Sequence, residues 1–225
     1  MSPAFGPTAR RLGVLSAFAS FGTIAVYLVV LVIGIASLTS PSDPIGDPWF
    51  TILEIIIILL MPILVTLTAA IHAWAEGEDR VFSLLAITFM VMLAVLTCSN
   101  HFVILTIGKQ PEFQAIEWMP LLISFKWPSI VYALDILAWD VFFALSVIAA
   151  SLVFHGNRIA AWIRGLLLLS GVMALAGLSG VLFSDMQLRF IGIAGYAGVF
   201  PIAALLIAVL FYRSAANAAS RDQTM

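Results

Sequence analysis

Reduced to hydrophobic and polar positions, the chain is six long apolar runs separated by short polar breaks. The runs cover approximately residues 12–38, 49–75, 82–107, 129–154, 159–184 and 188–212. Each reaches the roughly 20 residues a helix needs to cross the hydrocarbon of a bilayer. The runs are continuous and do not alternate, which selects helices over barrel strands. The pattern therefore predicts an all-α, polytopic membrane protein, one six-helix domain over residues 1–225.

The breaks carry turn chemistry. Residues 39–48 (TSPSDPIGDP) form a Pro/Ser/Asp/Gly linker, 75–80 (AEGEDR) are charged, and 155–158 (HGNR) make a tight polar turn. Residues 183–189 (FSDMQLR) are so few that the last two spans must form an antiparallel hairpin. The longest break, 109–128, mixes apolar residues with Glu112, Glu117 and Lys126 and is interrupted by Pro111 and Pro120. It reads as an interfacial segment on the outer surface, with a lid over the bundle as the sharper alternative.

Composition agrees with a bilayer as solvent. The chain is 63% hydrophobic and 10% charged, with a mean hydropathy of +1.13, against about 25% charged residues in soluble domains. The first apolar run is longer than the roughly 7–15 residues of a signal-peptide core, so it reads as a retained first span.

Net charge is −2 with no basic block, which gives nucleic-acid binding no support. Cys98, the one cysteine, rules out an intramolecular disulfide or a C-x-x-C site. Counting Lys and Arg by side puts seven (Arg10, Arg11, Arg80, Arg158, Arg164, Arg213, Arg221) against three (Lys109, Lys126, Arg189). The richer side is expected in the cytoplasm, with both termini there and the protein multi-pass in the cell (cytoplasmic/inner) membrane. Trp49, Trp74, Trp118, Trp127 and Trp162 fall near span ends, where interfacial anchors belong.

Glu54, His101, Asp135 and Asp140 are out of character with the runs that hold them. An ionised carboxylate in mid-bilayer costs at least about 2.5 kcal/mol, so each should face protein or water. At 1.5 Å per residue, Glu54 lies about 7 Å below the outer boundary, with His101 and Asp135 about 9 Å below it. Three spans thus carry an acid, an imidazole and an acid at one level. Asp140 is deeper and, on a straight helix, about 140° around from Asp135, so it is expected to line an inward continuation or face another neighbour.

Thr97 and His101 share a stripe turned toward the bundle, Ser99 is expected to bond its own helix, and Asn100 to bridge to a neighbour. Tyr196 is a candidate to offer its hydroxyl to the acidic level. Glu54, His101 and Asp135 also form a candidate three-ligand metal set. The cofactor, if there is one, is unknown from these residues. A bis-histidine haem needs two histidines at one depth, and His72, His101 and His155 do not supply them; a retinal lysine is missing from the last two spans. No H-E-x-x-H, G-x-S-x-G or nucleotide-binding loop is present.

Two further features remain. Pro62 and Pro201 should kink spans two and six. Ala176, Gly180 and Ser184 at four-residue spacing, with Ala194 and Gly198, form small-residue faces on spans five and six. These suit close packing of the two spans, or a homo-oligomer or larger membrane complex.

Three functions fit these residues. One is a buried polar site near the outer leaflet handling a proton, cation or small polar solute. Another is an accessory subunit whose polar residues only fasten helices. The last is a membrane-embedded enzyme acting on lipid or quinone, with His101 as base or metal ligand.

Overall fold

A computed structural model describes residues 5–40 and 43–222, with side chains to residue 214. Six helices are long and apolar enough to span a membrane: Pro7–Ala36, Trp49–Trp74, Asp79–Lys109, Ile130–Ser151, Arg158–Leu182 and Met186–Ser214. They are called spans one to six. The shortest has 22 residues, a length of about 33 Å, enough for a hydrocarbon core of about 30 Å. The protein is an all-α integral membrane bundle of six spans.

Local signals set the ends. Ser129 caps span four, its hydroxyl accepting from Tyr132 N–H at 3.2 Å, and Asn157 caps span five by accepting from Ala160 N–H at 2.9 Å. Gly156, at φ 92°, supplies the left-handed turn between them.

Each span packs on its neighbours in sequence, and span six closes the ring against span one. Gly13 permits that closure, because a Cβ there would lie 2.6 Å from the Phe211 ring and 3.0 Å from Ala70. Phe5, Trp74 and Phe211 meet at the end of the bundle expected to face the cytoplasm, called the inner end below, with ring centroids 4.9–5.4 Å apart. Trp74, half-buried at the last residue of span two, shares in this aromatic cluster. Leu15, Val32, Leu59 and Val95 point outward from the bundle, as a lipid-facing surface requires. Leu60, Leu64, Met90, Leu93 and Ile207 fill its inner half.

The helices of spans four and six both widen into a π-turn, at Leu137–Phe143 and Ala194–Val199. The second lies just before Pro201, whose missing N–H and bulky ring disturb the preceding turn. Trp139 and Phe143 from one π-turn meet Tyr196 from the other, at centroid distances of 4.9 and 5.9 Å. Such turns are rare and favour places where a helix must re-aim side chains.

Candidate functional site

The polar side chains expected at one level do converge, and a cation joins them. His101 Nδ1 hydrogen-bonds Glu54 Oε2 at 2.8 Å. Its other nitrogen, Nε2, faces Asp135 Oδ1 at 4.0 Å, beyond hydrogen-bond reach. Asp135 Oδ2 accepts from Arg189 Nη2 at 3.3 Å, and Arg189 Nε donates to Asp140 Oδ2 at 3.2 Å. A chain of five groups therefore runs Glu54–His101–Asp135–Arg189–Asp140 through spans two, three, four and six. All five are buried.

Arg189 corrects the reading of residues 183–189 as a loop with an outer arginine. Span six begins at Met186, so Arg189 lies in its first turn. It turns inward, is 3% exposed, and lays its guanidinium 4.7 Å over the Tyr132 ring. Charge balance was the available signal: three acids in apolar runs with a single histidine call for a permanent cation.

Asp140 corrects the second expectation. It meets the same arginine as Asp135 and does not face away. The 140° separation holds for a straight α-helix, whereas the π-turn closes its bonds i→i+5 and swings residues five apart toward one face. Two glycines admit the carboxylate. A Cβ on Gly177 would lie 3.2 Å from Asp140 Oδ2, and one on Gly192 would lie 3.1 Å from Oδ1. Gly180 makes the same allowance for the Arg189 stem, its Cβ position lying 3.2 Å from Arg189 Cγ.

The close face between spans five and six is therefore set by Ser170, Ala174, Gly177 and Gly180 against Gly192 and Gly195. Ser170 donates across it to the Gly195 carbonyl at 2.9 Å. Of the small-residue stripes read from the sequence only Gly180 takes part. Ala176, Ser184, Ala194 and Gly198 are exposed, because the actual face lies one residue around the helix.

Thr97 and His101 are buried on one stripe and Ser99 is exposed. Asn100 bridges spans, donating from Nδ2 to the Val131 carbonyl at 3.1 Å. Tyr196 contributes through its ring, against Trp139 and Phe143. Thr97 Oγ1, His101 Nε2 and Asp140 Oδ1 are enclosed without a hydrogen-bond partner.

Among the described residues no group of three His, Cys, Asp or Glu side chains is arranged around a common point for a metal ion. Glu54 and Asp135 lie against opposite nitrogens of one imidazole, and Arg189 already occupies Asp135. The three-ligand set does not form in this arrangement.

A cavity of about 790 Å³ opens at the outer end of spans one to three, and Glu54 and His101 line its wall. Tyr27, Leu31, Phe50, Leu53 and Ile104 line it as well, and the 109–128 segment contributes Gln114, Ile123, Ser124, Phe125 and Lys126. That segment contains two short helical turns, Pro111–Gln114 and Pro120–Ile123, and it shares the wall with residues 43–47. Phe125 packs its ring 5.4 Å from His101. At the rim, Lys109 donates to Asp47 and, at 2.9 Å, to Thr51. That pairing with Lys109, and the Thr51 hydroxyl, hold the Asp47 carboxyl below its usual range.

No family model matches the chain, and no curated protein or solved structure matches it either.

Proposed function

We propose that the protein takes a proton or small cation from the outer side into the buried cluster, through the cavity whose wall carries Glu54 and His101. The supporting observation is a charge imbalance at the end of an access route. Glu54, Asp135 and Asp140 oppose one permanent cation, Arg189, so with His101 neutral and every acid ionised the cluster holds a charge of −2. Protonating His101 leaves −1. Buried charge of this size is unfavourable in a low-dielectric interior, so the group gains from one or two added protons or from a cation. His101 is the hinge of the arrangement: one nitrogen touches the acid on the cavity wall and the other faces the acid held by arginine.

The enzymatic reading gains little support. A general base must offer a free nitrogen to its substrate, whereas Nδ1 is engaged by Glu54 and Nε2 is enclosed. Beyond the cluster the bundle holds no further buried carboxylate among the described residues, only hydroxyls such as Ser20, Thr68, Ser83 and Ser146, so the cavity at the other side is the route that supports the reading.

Reconstituted protein on a solid-supported membrane tests the reading. A pH jump on the outer side is expected to give a transient displacement current that Glu54→Gln and His101→Ala each reduce severalfold or abolish. Equal currents in wild type and both variants, or none in any, would overturn it.

A further inference from the structure

The cavity is far larger than a proton or an inorganic ion needs. At about 790 Å³ it lies within the roughly 300–1,000 Å³ of small-molecule sites. Its walls are largely apolar, from Leu31, Leu53, Ile104 and Ile123, with rings from Tyr27, Phe50 and Phe125. Its deep polar groups are the Glu54 carboxylate and the His101 imidazole bonded to it. Glu54 is 4% exposed, lines the cavity and spends Oε2 on His101, which leaves the lone pairs of Oε1 to accept from a further donor.

The rings already keep company with cations and nitrogen bases. Lys109 Nζ lies 5.9 Å from the Phe50 centroid, and Phe125 packs on the His101 imidazole. At the rim Lys109 is paired with Asp47, and the lining carries one further acid and one further base, Asp43 and Lys126. The unbalanced charge seen from inside is therefore the negative one of the cluster behind Glu54.

We infer that the cavity binds a small organic ammonium ion with an apolar body, its charge set against Glu54 and its body against the aromatic and aliphatic wall. This rests on the reading of the cavity as the route to the buried cluster. A monocation brings the charge of the cluster, with His101 protonated, to zero. Aromatic faces add attraction for an ammonium group that a neutral isostere does not receive. A carboxylate ligand would meet Glu54 with like charge.

Benzylammonium is the probe, with benzyl alcohol as its neutral isostere and benzoate as the anion, each titrated by calorimetry into protein held in lipid nanodiscs. Saturable benzylammonium binding is expected, at least about tenfold tighter than benzyl alcohol and weakened at least about tenfold in Glu54→Gln, from the loss of a charge-assisted contact. Glu54→Asp should keep part of the affinity. Equal binding of the alcohol, or preference for benzoate, overturns the inference without any variant having to fold. Absent benzylammonium binding with intact pH-jump currents overturns the ligand class and leaves the route standing; loss of both removes both.

Discussion

Arg189 and Asp140 form an ion pair inside the bundle, Nε to Oδ2 at 3.2 Å, with the arginine 3% and the aspartate 0% exposed. The pair joins the first turn of span six to the π-turn of span four. It exists because two glycines leave room for the carboxylate and a third for the arginine stem. Arg189 uses a second N–H on Asp135, so one rigid planar fork, always charged, serves two acids in fixed directions.

Removing the cation should be the most damaging single change in the core. Arg189→Met leaves Asp135 and Asp140 buried without a counter-charge, a loss of about 3–5 kcal/mol. Adding Asp135→Asn and Asp140→Asn to the same chain should recover most of it, because the uncompensated charge disappears. Unfolding in mixed micelles measures both; wild-type stability in Arg189→Met would contradict the pairing.

The glycines give a steric test. Gly177→Ala and Gly192→Ala each push a methyl group to within 3.1–3.2 Å of the Asp140 carboxylate, and overpacking of this kind costs about 1–3 kcal/mol. Gly198 has nothing within 4 Å, so Gly198→Ala should stay within about 0.5 kcal/mol of wild type. A marked loss in Gly198→Ala, accompanied by a change in oligomeric state, would show that this outward face packs on another copy.

The sequence carried the six spans and the shared level of Glu54, His101 and Asp135, because continuous apolar length and helical rise are one-dimensional quantities. What it hid depended on departures from the regular helix. Asp140 was misplaced because the π-turn is invisible to a period of 3.6 residues. Arg189 was assigned to a loop because hydropathy puts a charge outside until charge balance forces it in. The glycine face was missed by one residue around the helix, since many small residues share that stretch and only packing chooses among them.

Single interhelical hydrogen bonds should matter much less. Asn100 reaches the Val131 carbonyl at 3.1 Å and Ser146 the Ala86 carbonyl at 2.7 Å. Inside membranes such bonds average about 0.6 kcal/mol, with a maximum near 1.7. Asn100→Leu and Ser146→Ala are therefore expected to fall in that range in the same unfolding assay. A loss rivalling Arg189→Met in either would mean that the charged chain is not the dominant fastening.

Asp47 gives the pH dependence. Its carboxyl is held low by Lys109 and Thr51, so protonation is harder in the folded state than in the unfolded chain. The stabilisation is then fully present above the unfolded carboxylate range, around pH 4, and is lost as pH falls through the lower folded value. The pair is exposed, so Asp47→Asn should cost no more than about 1 kcal/mol at pH 7. Melting curves of wild type and variant should converge on acidification toward pH 3. A difference that persists there would assign the effect to packing of residues 43–48 instead of charge.

Water access and orientation can be read from one pair of cysteines. Cys98 is the only native thiol, so Cys98→Ser provides a blank background. Leu53 lines the outer cavity, whereas Leu60, two turns deeper, is sealed in the apolar core. A maleimide reacts with the thiolate, which needs water around the sulfur. Leu53→Cys should therefore label with a membrane-impermeant maleimide added outside intact cells, and Leu60→Cys should not. The burial of Arg189 takes it out of the outer count, leaving seven Lys and Arg on the inner side against Lys109 and Lys126, which sharpens the expected orientation. Labelling of Leu53→Cys only from the cytoplasmic side of inverted vesicles would reverse the bundle. Labelling from neither side would mean that water does not reach Glu54 and His101, and the proposed route would fall with it.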